Sequence, residues 1–304
     1  MSSSNSPCFQ VDHLSSLPNE LLDVIFDYAH PVDYPSYGPL SKRLLPFYVV
    51  ARYRRIFTPD STTFAGLVRK VNSDPQLGDL VQVLHVDSMR PVPSGHSDDA
   101  TVATFFGHLP FVVEINIGPD AAERFSRLAV SPYCLTFPSV AHLECASTPI
   151  DSHPLRLFNS FSGLRTLTVT GFETNDHTTS IFPSRPLPRL YKLSVSGQDA
   201  DSPSIVDFCA SCPNLNQLFL SADWHPQYQE MLPSLPDRLE VLSLMYNRGY
   251  ASTVSQSACD AALSRFTELR HLTLGNELFS ANLPTNLSTL VKLEPSKLAE
   301  EGSN

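Results

Sequence analysis

Apolar residues recur through most of the chain in one four-point pattern: apolar, two residues, apolar, two residues, apolar, one residue, apolar. The instances are Leu109, Val112, Ile115, Ile117; Phe137, Val140, Leu143, Cys145; Phe161, Leu164, Leu167, Val169; Leu187, Leu190, Leu193, Val195; Cys212, Leu215, Leu218, Leu220; Pro236, Leu239, Leu242, Leu244; and Phe266, Leu269, Leu272, Leu274. A shorter one, Val81, Leu84, Val86, precedes them. At 42% apolar composition, such a template matches a chain of this length roughly nine times by chance, so the match alone decides nothing. Spacing and identity decide it. Successive third positions, from Leu84 to Leu272, lie 31, 28, 24, 26, 25, 24 and 30 residues apart, and seven of the eight are Leu. The closing apolar, any, apolar triplet has the two-residue period of a strand with one buried face. Pro110, Pro138, Pro188, Pro213 and Pro236 stand just before or at the start of these strands, where proline halts a helix and opens an extended segment.

Between the strands the spacing becomes helical, as in Phe64, Leu67, Val68, Val71 and in Val102, Phe105, Phe106, Leu109. The segment Ser204 to Cys209 places a capping Ser204 before apolar residues at helical distances. Each unit therefore reads as strand, turn, short helix and return. Parallel strands need such crossovers, and stacking the units gives an α/β solenoid with a curved parallel sheet and one open, concave face. Eight to nine strands about 4.8 Å apart make that face roughly 35 to 40 Å long. The pattern and its period resemble the leucine-rich repeats of F-box proteins, over about residues 80 to 293.

Residues 17 to 29 read Leu-Pro-Asn-Glu-Leu-Leu-Asp-Val-Ile-Phe-Asp-Tyr-Ala. Pro18 suits a first helical turn, Glu20 favours its positive end, and Ser15 or Ser16 is placed to cap it. The apolar residues form two stripes, Leu21, Ile25, Tyr28 and Leu22, Phe26, Ala29. That is more apolar circumference than a surface helix of a small domain can hide, so one stripe needs a partner. This stretch resembles the opening of an F-box, and the run from Leu40 through Arg55 resembles the second half of fungal F-box-like sequences. The resemblance implies docking on the Skp-family adaptor of a cullin-type ubiquitin ligase, with Leu17, Pro18, Leu21, Leu22 and Ile25 at or near the contact.

The domain reading is a disordered tail at 1–13, an F-box-like helical segment at 14–57, a connecting helix and linker at 58–79, a leucine-rich-repeat solenoid at 80–293 and a disordered tail at 294–304.

Charge narrows the partners. The net charge is -10, which disfavours a nucleic-acid backbone or an anionic membrane as the main partner. Tyr34 to Pro59 is the local exception, with five basic residues (Lys42, Arg43, Arg52, Arg54, Arg55) and no acidic one, so the remainder carries -15. A solvated helix face accounts for that cluster most simply, contact with an acidic adaptor next, and it carries no recognised nucleic-acid motif. No stretch approaches the roughly 18 apolar residues of a membrane span, and the opening residues lack the basic and apolar regions of a signal peptide. The expected location is cytoplasmic or nuclear. Six scattered cysteines fit a reducing compartment.

Catalytic chemistry has little footing. Cys209-Ala-Ser-Cys212 has the spacing of a redox or metal motif, but no second pair or suitably spaced His follows, so core packing is expected. Nucleophile-elbow, phosphate-loop and zinc-protease motifs are missing. His85, His142 and His271 stand beside inward strand residues, where they read as surface side chains. The chain is expected not to be an enzyme and to need no cofactor or metal.

The expected function is target recognition within a ubiquitin ligase, with the F-box on the adaptor and the repeats on a target protein. The alternative is a non-ligase leucine-rich-repeat scaffold whose N-terminal helices only cap the solenoid. In this register His85, Asn116, Glu144, Thr168, Ser194, Phe219, Ser243 and Thr273 form the central column of the open face, and seven of the eight are polar. Phe219 stands out, with Gln217 on its strand, Met245 and Tyr246 on the next, and Trp224 just beyond. These five residues are the candidate target-binding set, because buried aromatic anchors carry most interface energy.

Overall fold

In a computed structural model of the chain, the described residues are 14–28, 42–91, 98–130, 133, 135–146, 160–172, 186–197, 203–222, 231–246, 256–274 and 292–295. Among these described residues, ten strands lie in sequence order in one unclosed sheet. They are β1 (Arg55–Thr58), β2 (Val83–Ser88), β3 (Glu114–Gly118), β4 (His142–Ala146), β5 (Thr166–Phe172), β6 (Lys192–Gly197), β7 (Gln217–Ala222), β8 (Val241–Tyr246), β9 (His271–Leu274) and β10 (Lys292–Pro295). Every neighbouring pair is parallel.

The register follows the sequence period. Leu84, Ile115, Leu143, Leu167, Leu193, Leu218, Leu242 and Leu272 pair successively across the sheet and are all buried. Because side chains alternate along a strand, fixing this row inward fixes its flanking residues outward. Two backbone devices repeat with the sequence. In the first, the carbonyl of the first apolar position accepts from the N–H of the second, as in Val140 to Phe137, Leu164 to Phe161, Leu190 to Leu187 and Leu215 to Cys212. Pro138, Pro188 and Pro213 each follow the accepting residue, where a fixed φ suits a turn's second position. In the second, the carbonyl just before each strand from β2 to β8 takes two successive N–H groups from the next unit. Val113 O accepts from Ala141 and His142, Arg165 O from Tyr191 and Lys192, and Glu240 O from Arg270 and His271.

The turns also stack. Ser139 Oγ donates to Pro110 O, and Asn214 Nδ2 to Pro188 O. Gly163 occupies the same turn position one unit on from Ser139, where a Cβ would fall on Pro138 O. Gly there is a matter of space.

Helices α3 (Ser61–Ser73), α4 (Asp99–Gly107), α5 (Pro119–Val130), α6 (Pro203–Ser211) and α7 (Gln256–Leu263) lie in the connections. Asp60 caps α3 by accepting from the N–H of Thr62 and Thr63 at 2.8 Å each, and Asp98 caps α4 by accepting from Thr101 N at 2.7 Å. Phe64, Phe105, Phe106, Phe125, Phe137 and Phe161 form a continuous run of rings behind the first half of the sheet, with centroids 5.1 to 6.4 Å apart. Offset and edge-on aromatic contacts of this kind add to area burial. Arg124 is buried within this layer, donating to Asp99 Oδ1 at 2.9 Å and to Met89 O at 2.6 Å.

At the β1 end of the sheet, α1 (Asn19–Tyr28) and α2 (Leu45–Arg54) pack around Leu22, Phe26, Leu44 and Ala51, a cluster separate from the solenoid core. The first bond of α1 runs from Leu22 N to Pro18 O. Ser16 lies in a preceding 3-10 turn, Leu14–Ser16, so neither Ser15 nor Ser16 stands at the cap position.

The sheet starts earlier than the pattern predicts. Arg55–Thr58 pairs with β2, Ile56 continues the Leu84 row, and α3 packs Phe64, Val68 and Val71 into the solenoid core. This strand is only four residues long, with one half-buried apolar residue and no Leu, and its neighbours are basic. The leucine period therefore had nothing to register there. Helix α6 begins at Pro203, which puts Ser204 inside the first turn and not at its cap. Of the segments expected to be tails, 1–13 and 294–304, Glu294 and Pro295 complete β10, and the rest lie outside the described residues.

Candidate protein-binding faces

The open face of the sheet is built by the alternation just described. Its central column pairs in unbroken order: Phe57, His85, Asn116, Glu144, Thr168, Ser194, Phe219, Ser243 and Thr273. All eight positions expected from the sequence are present, β1 adds Phe57, and the backbone pairing continues into β10. Nine spacings of about 4.8 Å give a face roughly 43 Å long. Beside it runs a second column containing Glu114, His142, Thr166, Lys192, Gln217 and Val241.

Short polar contacts organise this surface. His85 Nε2 lies 2.7 Å from Asp87 Oδ1, and the His85 ring meets Phe57 edge-on at 4.7 Å. Asn116 Nδ2 donates to Glu114 Oε1 at 3.2 Å. Lys192 Nζ sits 5.0 Å from the centre of the Phe219 ring, a cation held over an aromatic face. His142 and His271 are exposed. Such a face offers hydrogen bonds and both signs of charge along its length.

Among the candidate target-binding residues, Gln217 and Phe219 lie two apart on β7, both half-buried. Met245 is half-buried on β8 and pairs with Ser221, so it belongs to the next column along. Tyr246 ends β8 on the alternate position, with Leu242 and Leu244, and pairs with Ala222. It is therefore out of phase with Phe219 and Met245. Trp224 lies outside the described residues. Phe57, 51% exposed, is an aromatic on the central column that the leucine period could not find, because β1 itself was not visible in it.

A second face lies on α1. Leu22 is fully buried against α2 and is not available at the surface. Leu17 is partly buried against the same cluster, and Pro18 is exposed. Leu21 (49% exposed), Val24 (51%), Ile25 (40%) and Tyr28 (87%) stand three, four and seven positions from Leu21. That spacing is one side of a helix, so the four form a single outward apolar stripe. Val24 completes it and was absent from the stripes read in the sequence.

Four thiols lie among the described residues. Cys145, Cys209, Cys212 and Cys259 are free and buried. Burial, reinforced by the Glu144 carboxylate, pushes the Cys145 thiol up to about 12. Burial also raises Cys209, with Cys212 adding to the effect, and burial raises Cys212 itself. A thiol held neutral is a poor nucleophile and a poor metal ligand. Among the described residues no group of three or more His, Cys, Asp or Glu is placed to hold a metal, and no helix is long and apolar enough to cross a membrane.

No family model matches the sequence. No curated protein matches it. Among solved structures, the chain is similar to a chain of a crystal structure of a TLR13–ssRNA13 complex, at 17% identity and a TM-score of 0.43. The match covers 73% of this chain and 37% of that one.

Proposed function

We propose that the chain is the target-recognition subunit of a cullin-type ubiquitin ligase: α1 docks on a Skp-family adaptor, and the open face of the sheet holds a target protein. The observation that carries this reading is the Leu21, Val24, Ile25, Tyr28 stripe. A ten-residue helix already buries Leu22 and Phe26 on its inner side, yet keeps four large apolar residues in water on the other. An amphipathic helix laid into an apolar groove of a partner removes that cost. Capping the solenoid accounts for α2, which leads directly into β1, but not for the outward stripe of α1. In this reading the chain supplies no catalytic group, and ubiquitin transfer belongs to other subunits.

The test is co-purification of the full chain with a Skp-family adaptor. Leu21→Asp with Ile25→Asp places two charges on the stripe and should abolish the complex with an unchanged unfolding midpoint, because both residues already face water. Leu22→Ala should instead loosen the α1–α2 pair. Retention of adaptor binding by the double Asp variant overturns the assignment.

A further inference from the structure

Strand β1 opens the sheet and, among the described residues, pairs with β2 alone. An edge strand presents backbone N–H and C=O groups with no partner on its outer side, which makes it a template for one more strand. Here the edge is not simply open. A cavity of about 350 Å³ runs along it, walled by Ile56, Phe57 and Thr58 of β1 and by Thr63, Gly66, Leu67 and Lys70 of α3. Those α3 residues recur three, four and seven positions apart, so one continuous side of the helix faces the strand. The end of α2 contributes Arg52 and Tyr53, and Arg55 begins the strand.

The groove is polarised. Only Pro59 and Asp60 separate β1 from α3, so the helix turns straight back along the strand and its last turn returns to the strand's beginning. Lys70 therefore lies toward Arg52 and Arg55, whereas Thr58 and Thr63 lie toward the link. No acidic residue lines the cavity. Tyrosines position two of the cations: Lys70 Nζ is 5.2 Å from the centre of the Tyr53 ring, and Arg52 donates to Tyr48 Oη at 2.8 Å. In a chain of net charge -10, three cations gathered at one end of a strand-sized slot complement a carboxylate-bearing segment.

We infer that this groove docks an extended acidic peptide, which adds to the sheet beside β1 and places its carboxylates against Arg52, Arg55 and Lys70. Main-chain hydrogen bonds to the edge would supply affinity, and the basic end would set direction and specificity. A nucleic acid fits less well, since the remainder of the chain repels polyanions and the slot is one strand wide. The inference is independent of the adaptor reading, because it does not use the α1 stripe, and it shares only Phe57 with the central column of the open face.

The test is selection of random dodecapeptides displayed against the full chain, followed by fluorescence anisotropy with the best synthetic peptide. Enrichment of Asp and Glu at one end of a β-branched segment is expected. Gly66 is the control point, because a Cβ there meets nothing within 4 Å. Gly66→Leu therefore fills the groove while improving helix propensity, and should weaken the peptide at least about tenfold with no loss of folding. Arg55→Glu with Lys70→Glu should do the same and remove the salt dependence. Leu21→Asp with Ile25→Asp should leave peptide affinity unchanged. The inference is overturned if selection enriches no acidic segment or if binding survives Gly66→Leu. It is equally overturned if a single-stranded oligonucleotide binds more tightly than the peptide in a Gly66-dependent way.

Discussion

Leu193→Ala is the sharpest probe of the register. Leu193 is fully buried and sits between Leu167 and Leu218 in the inward row. Removing its isopropyl group deletes three buried carbons, which at about 0.8 kcal/mol each amounts to about 2.4 kcal/mol of lost transfer energy. The neighbours are pinned by strand pairing on both sides, so the site cannot collapse freely, and a cavity term should raise the total to roughly 3 to 5 kcal/mol. The next residue supplies the contrast. Ser194 lies half-buried on the open face, and Ser194→Ala should stay within about 0.5 kcal/mol of the parent. Urea unfolding followed by circular dichroism reads both, provided the slope is unchanged between variants, since solenoids can lose units separately. Equal losses from the two variants, or a larger loss from Ser194→Ala, would refute the inward and outward assignment of every strand paired with β6.

Phe219→Ala should weaken target binding by more than about 1 kcal/mol in a titration while moving the unfolding midpoint little, since the ring is half-buried and shared with Lys192 on the open face; lost stability with unchanged affinity would make it a packing residue. Buried thiols predict a resistant native state: maleimide should leave Cys145 and Cys209 unlabelled at neutral pH and label them after denaturation. Because burial raises these thiols above their unfolded value of about 8.5, the folded chain holds protons that the unfolded chain releases. Their contribution is fully present below pH about 8.5 and is lost as pH rises toward the Cys145 value of about 12. A midpoint that fails to fall over that alkaline range in the parent, relative to a Cys145→Ala variant, contradicts the burial argument.

Much of the solenoid was legible in the sequence because one physical constraint repeats. Each unit must turn a leucine row inward at a fixed distance from its turn, so the period exposes strand, turn and register together, and the central column from His85 to Thr273 followed from it. Where that constraint is relaxed, the sequence was silent. β1 needs only Ile56 to join the row, so Phe57 and the groove behind it left no periodic trace. The five basic residues from Lys42 to Arg55 were visible as a cluster, but their arrangement was not. Only the reversal of α3 along β1 shows Lys70, far along the chain, joining Arg52 and Arg55. On α1 the excess of apolar circumference was evident, but which stripe packs inward depends on where α2 docks. That is why Leu22 reads equally well as contact or core until the packing is known.

The adaptor reading stands or falls most directly on hydrogen–deuterium exchange of the full chain with and without a Skp-family adaptor. Docking through the α1 stripe predicts slowed exchange across residues 17–28 and unchanged exchange in β4 to β8. Protection confined to the sheet, or none anywhere at saturating adaptor, would contradict it.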